Sequence, residues 1–158
     1  METDTAKEEQ YRQAISAIVG LIEGESDQIA IMASVACVLH HQFEYFHWTG
    51  FYRVTAPKVL KVGPYQGGHG CLTIGFDRGV CGKAAREKAT QLVPNVHDLP
   101  CHIACSSTTQ SEIVVPVFNQ AGELVAVLDV DSDELAAFDE TDQRYLEQVC
   151  RLVGNQLG

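Results

Sequence analysis

The sequence predicts an α+β domain with an antiparallel sheet and terminal helices packed on one face. Three observations lead to this fold class. Helical periodicity fills the beginning and the end of the chain, whereas β-branched and aromatic runs separated by turn residues fill its middle. Short turns join neighbouring strand patterns, which is typical of antiparallel pairing. Because 158 residues is the length of one ordinary domain, we expect a single domain over residues 1–158.

Three helices account for the two ends of the chain. The first covers residues 8–23, carries an apolar stripe and stops at Gly24. Ser26 is the expected N-cap of the second helix, which extends to about residue 42. An amphipathic pattern over residues 141–157 predicts the closing helix, and we expect the terminal helices to pack together.

The middle of the chain predicts five strands and one short helix. The strands cover residues 48–54, 59–63, 91–93, 112–118 and 124–131, and the helix covers residues 79–88. Ala56, Pro57 and Lys58 form the turn between the first two strands. Residues 94–110 show no sustained apolar period, so we expect a long structured loop, and such loops are usually functional.

Composition excludes some partners. The formal net charge of −10 disfavours non-specific binding to nucleic acid or to an anionic membrane. The acidic, polar first ten residues do not resemble a secretory signal, and no apolar run is long enough to span a membrane. We therefore expect a cytoplasmic protein, in which a structural disulfide framework would be held reduced.

The chain nevertheless contains six cysteines. Two lie in apolar helical patterns, where a thiol behaves as a small hydrophobic group, so we expect Cys37 and Cys150 to pack in the core. The other four lie among Gly, Pro, His and Ser residues, and they are Cys71, Cys81, Cys101 and Cys105.

Three interpretations of those four thiols stay open. They can be a redox pair with a resolving cysteine, a zinc site, or inert thiols. The zinc hypothesis rests on the spacing of His97, Cys101, His102 and Cys105, and the absence of a CxxC pair weakens it. Alternatively, His97 or His102 tunes the pKa of a cysteine, or both are simply exposed.

Carboxylates on the strands form a second candidate site. Asp129 and Asp131 lie two apart on an apolar strand and therefore point to one face, and Glu112 lies on a neighbouring strand. Repulsion between the like charges makes such a cluster costly unless a cation binds there. The cluster therefore indicates a pocket for an ammonium group, or a carboxyl that its neighbours keep protonated. The alternative is that this face is exposed to solvent. Trp48 and Tyr52 share a face and either line an apolar pocket or pack in the core.

Six motifs in the middle of the chain form a recognisable set: Trp48-Thr-Gly-Phe-Tyr52, Gly63-Pro-Tyr-Gln-Gly67, Arg78-Gly-Val-Cys-Gly82, His102-Ile-Ala-Cys105, Ser111-Glu-Ile-Val-Val-Pro116 and Val127-Leu-Asp-Val-Asp-Ser132. Together they resemble the motifs of one family, the free methionine-(R)-sulfoxide reductases, which are single GAF domains. The resemblance covers the chain from about Trp48 to the final helix, and the first two helices also fit. It implies a GAF-like fold over residues 1–158.

The resemblance also implies roles. Cys105 matches the nucleophile, and Cys71 and Cys81 match resolving cysteines, with Cys71 the better direct partner. Glu112, Asp129 and Asp131 match the substrate carboxylates, with Glu112 or Asp131 as proton donor. Trp48 and Tyr52 match the aromatic wall around the substrate methyl group. Cys101 departs from the family pattern, where Gly is more usual, and its role stays open.

The resemblance implies the reduction of free methionine-(R)-sulfoxide to methionine. This reaction needs a dithiol reductant such as thioredoxin and neither a metal nor another cofactor. A homodimer is expected. Two further hypotheses remain from other classes: a non-catalytic GAF module that senses a small ligand or redox state, and a zinc-stabilised binding domain.

Overall fold

The computed structural model describes residues 2–99 and 108–158. Within these ranges the helices are α1 (Glu2–Ile22), α2 (Gln28–Gln42), α3 (Gly79–Glu87) and α4 (Glu140–Asn155). The strands are β1 (Trp48–Ala56), β2 (Val59–Gln66), β3 (Thr73–Gly75), β4 (Gln91–Val93), β5 (Ser111–Phe118) and β6 (Leu124–Ser132). A single 3-10 turn, Val96–Asp98, follows β4.

These strands form one six-stranded sheet in the order β3-β2-β1-β6-β5-β4, and every neighbouring pair is antiparallel. The central strands β1, β6 and β5 therefore lie side by side. No helix in the described ranges is both long and apolar enough to cross a membrane.

The two faces of the sheet carry different layers. Helices α1, α2 and α4 cover one face, where Phe51, Val115 and Leu128 belong to the larger apolar core. Helix α3 covers the other face, where Val114 and Val127 belong to a smaller core. The predicted α+β class, with terminal helices packed on one face, is confirmed.

Local details correct parts of the sequence prediction. The N-cap of α2 is Asp27 and not Ser26, because the Asp27 carboxylate accepts the N–H of Ala30 at 3.0 Å, three residues ahead. Strand β3 was not expected, since its three residues include one apolar side chain, Ile74, and are ordered by pairing with β2. The first strands also extend beyond the predicted residues 54 and 63.

One of the two core cysteines is wrongly predicted. Cys150 is buried on α4 as expected, but Cys37 is exposed. The buried face of α2 is already filled by neighbouring apolar side chains, namely Ile31, Met32, Val35, Ala36 and Leu39. Cys37 therefore lies on the solvent side of the helix with His41, whose Nδ1 is 3.7 Å from its Sγ.

Candidate functional site

Strand register brings the three candidate carboxylates together. Glu112 on β5 pairs directly with Asp131 on β6, and Val114 pairs with Asp129. Antiparallel partners share a face, and residues two apart along a strand do so as well. Glu112, Asp129 and Asp131 therefore point to the same face, the one covered by α3.

These carboxylates are withdrawn from water. Glu112 is 6% exposed and Asp129 is 4% exposed. One oxygen of each aspartate, Oδ1 of Asp129 and Oδ1 of Asp131, is buried without a hydrogen-bond partner among the described residues. Burial raises the pKa of all three carboxyls well above the ordinary range, and the charges of their acidic neighbours raise it further. Both effects favour the protonated form of these carboxyls.

Cys81 adds a thiol to this cluster. It lies in the first turn of α3, is 4% exposed and is free. A helix N-terminus by itself favours a thiolate. Here the effect of burial is larger than that of the helix N-terminus. Desolvation and the charges of Asp129 and Glu112 raise the pKa of Cys81 well above its ordinary value. The Cys81 thiol is therefore protonated and a weak nucleophile in this state.

An aromatic wall borders the carboxylates. Trp48 pairs with Asp131 across β1 and β6, and Tyr52 lies four residues further along β1 on the same face. The two rings stack with centroids 5.7 Å apart, and Tyr65 of β2 also stacks with Trp48, with centroids 5.1 Å apart. The indole N–H of Trp48 donates to the carbonyl of Gly68 at 2.8 Å, which fixes the ring.

The glycine-rich segment after β2 closes over these rings. A Cβ at Gly70 would lie 2.9 Å from both the Trp48 ring and the Tyr52 hydroxyl, so only glycine fits against the wall without displacing it. Cys71 follows directly and is half-buried. Cys71 is disulfide-bonded, whereas Cys37, Cys81 and Cys150 are free.

The remaining sequence-predicted residues divide between described and undescribed segments. Cys101, His102 and Cys105 lie outside the described residues. His97 is exposed in the 3-10 turn.

Sequence reasoning missed His47, which supports the end of β6. Its backbone N–H donates to the carbonyl of Asp131 at 2.9 Å, and its ring Nδ1 accepts the N–H of Asp133 at 2.9 Å. His47 thus brackets Asp131 from both sides. No periodicity marks this role, because the contact joins residues more than eighty positions apart. Gly70 was also missed, although the glycine-rich stretch around it was a visible signal.

Fold and site together define an α+β domain with an acidic, aromatic-walled site on one face of a six-stranded antiparallel sheet. The chain belongs to the GAF domain family, whose model matches residues 8–157.

Similar proteins span nearly the same length. GAF domain-containing protein A of Dictyostelium discoideum is 47% identical over 150 residues, which cover 95% of this chain and 94% of that protein. The free methionine-R-sulfoxide reductase of Saccharomyces cerevisiae is 36% identical over 153 residues, covering 93% and 85% respectively. The crystal structure of free methionine-R-sulfoxide reductase from Neisseria meningitidis in complex with its substrate superposes with a TM-score of 0.90. It is 41% identical and covers 95% of this chain and 89% of that one.

Proposed function

We propose that this protein reduces free methionine-(R)-sulfoxide to methionine. The observation that carries the proposal is the convergence of two buried carboxyls, Glu112 and Asp129, with the half-buried Asp131, beside the wall of Trp48 and Tyr52. The names of the yeast and Neisseria relatives support the same activity.

The carboxyl cluster suits the α-ammonium group of a free amino acid. Ionised carboxylates buried together repel one another, and a bound ammonium offsets that repulsion while using their free oxygens. A methionine inside a peptide has no such ammonium. The stacked rings of Trp48 and Tyr52 offer an apolar surface to the sulfoxide methyl group.

In the proposed chemical step, the thiolate of Cys105 attacks the sulfoxide sulfur. A protonated carboxyl, Glu112 or Asp131, gives its proton to the sulfoxide oxygen, and the sulfur–oxygen bond breaks. The released hydroxyl oxygen passes to the Cys105 sulfur as the bond between that sulfur and the methionine sulfur breaks. Methionine therefore leaves with its sulfur reduced by two electrons, and Cys105 becomes a sulfenic acid, oxidised by two electrons. The raised pKa values of Glu112 and Asp131 support a proton donor at neutral pH.

Recycling then needs a resolving thiol. A thiol condenses with the sulfenic acid to form a disulfide and water, and an external dithiol of the thioredoxin type reduces that disulfide by exchange. We assign the first resolving role to Cys71, because burial and acidic neighbours keep the Cys81 thiol protonated. We further propose that the whole chain acts as one domain, as a homodimer, in the cytoplasm and without a cofactor.

Turnover of three substrates with a thioredoxin system tests the function. We expect activity on free methionine-(R)-sulfoxide and little or none on the S epimer or on a peptide containing methionine sulfoxide. Equal activity on the peptide would contradict an ammonium-binding site. Absence of turnover on every substrate, with ligand-dependent dimerisation instead, would favour the non-catalytic sensor.

A further inference from the structure

The thiol of Cys81 and two of the buried carboxyls form a compact donor set. One ligand atom each from Cys81, Glu112 and Asp129 can be chosen so that all three atoms lie within 4.8 Å of one another. All three residues are buried, and they come from different elements, α3, β5 and β6. The fold thus points a sulfur and two oxygens at one spot.

A second observation is that one of these three residues, Asp129, has a buried oxygen without a hydrogen-bond partner in the part of the chain that the structure describes. Oδ1 of Asp129 is fully buried and accepts no hydrogen bond from any described residue, and the same holds for Oδ1 of the adjacent Asp131. The charges that act most strongly on Cys81, Glu112, Asp129 and Asp131 are all negative. They belong to the carboxylates of this same cluster and to Asp133. An unpaired buried carboxylate oxygen is costly, so the cluster is suited to a cation.

The donor types select the kind of ion. A thiolate with two carboxylates suits a borderline ion such as Zn²⁺, whereas Mg²⁺ and Ca²⁺ require six or more oxygen ligands. Bonds of about 2.3 Å to sulfur and about 2.0–2.2 Å to oxygen require each side chain to move inward by less than about 1 Å from the present spacing. A water or Asp131 can complete a tetrahedron.

We propose that Cys81, Glu112 and Asp129 bind a divalent ion of the zinc class. Binding forms bonds from the ion to the Cys81 sulfur and to the two carboxylates, and the thiol proton is released to solvent. No electron is transferred. The ion is an inhibitor and not a cofactor, because it occupies the oxygens assigned above to the substrate ammonium; this consequence for activity rests on the proposed function.

Cobalt titration followed by zinc displacement tests the site. The full-length protein, without added reductant, is titrated with Co²⁺ and the thiolate-to-cobalt charge-transfer absorption is measured; Zn²⁺ then displaces it. We expect one equivalent in the wild type and at least about a tenfold loss of Zn²⁺ affinity in Cys81→Ser. The matched control is Cys37→Ser, which removes the exposed thiol beside His41 and should leave affinity within about twofold.

Each outcome of the titration either supports or contradicts the proposed metal site. Affinity and charge-transfer absorption that survive in Cys81→Ser overturn the proposal, as does a loss confined to Cys37→Ser. Should Cys81→Ser fail to fold, Asp129→Asn replaces it with the same expected loss. Turnover of free methionine-(R)-sulfoxide is measured on the metal-free samples. If the protein binds zinc but shows no turnover, only the proposed function is contradicted. If the protein shows turnover but neither binds zinc nor is inhibited by it, only this inference is contradicted.

Discussion

Glu112 and Asp131 face each other as directly paired residues of the β5–β6 ladder, both on the sheet face away from the three larger helices. Like charges directly opposite each other destabilise a sheet. This pairing therefore lowers the free energy of unfolding, and replacing a carboxyl of the cluster by an amide measures by how much.

Asp129→Asn should raise the melting temperature at neutral pH. A carboxyl whose pKa is raised in the folded state opposes folding once the pH exceeds its unfolded pKa, so the gain should be small near pH 4 and grow toward pH 8. Removing the buried charge is expected to contribute about 1–3 kcal/mol, and each kcal/mol corresponds to about 2–4 °C at this chain length. Thermal unfolding across this pH range measures the effect.

The matched control is Glu44→Gln, because Glu44 is exposed. It should leave the melting temperature within about 1–2 °C at every pH. A stabilisation of Asp129→Asn that does not depend on pH, or a lower melting temperature at pH 8, would contradict the assignment of a strained carboxyl cluster.

Gly70→Ala should raise the KM for free methionine-(R)-sulfoxide by about tenfold, roughly 1.4 kcal/mol of lost binding. Its methyl group would lie 2.9 Å from the Trp48 ring and the Tyr52 hydroxyl, so the aromatic wall must shift. Steady-state kinetics measures KM and kcat. Gly68→Ala is the control, since a Cβ there meets no atom within 4 Å. Equal KM values for the two variants would show that the wall does not shape the substrate pocket.

Substitutions of the cysteines should separate chemistry from recycling. We expect Cys105→Ser to abolish methionine release, because the nucleophile is lost. Cys71→Ser should release about one methionine per protein in a single turnover and then stop, since thioredoxin has no disulfide of Cys71 to reduce. Rapid-quench product analysis distinguishes the two. A Cys105→Ser protein with full activity would refute the assignment of the nucleophile.

Gly154→Ala should destabilise the fold by about 2 kcal/mol or more, the usual cost of overpacking in a core. Gly154 is buried on α4, and a methyl group there would collide with the carbonyl oxygen of Phe118 at the end of β5. Urea unfolding measures the free energy. Gly20→Ala, on α1 with open space around it, should instead stabilise by about 0.5–1 kcal/mol. Equal effects of the two substitutions would refute the close α4–β5 contact.

Predictions from local patterns succeeded where a residue's environment follows from its own element. The alternation in β6 was sufficient to place Asp129 and Asp131 on one face, and the apolar period of α4 was sufficient to bury Cys150. The same reasoning was wrong for Cys37, because an apolar run does not tell which side of a helix the sheet will cover. It also missed β3, whose order comes from its partner strand.

By itself, the sequence determined four helices and five of the six described strands, the α+β class, and the sharing of a face by residues two apart on a strand. These features depend on backbone geometry and side-chain polarity. Only the tertiary structure decided that Glu112 pairs with Asp131, that Cys81 enters the same cluster from α3, and that Gly70 lies against the Trp48 ring. Those contacts depend on strand register and on the docking of a helix across the sheet. Both are set by packing between segments far apart in the chain, and no local pattern encodes them.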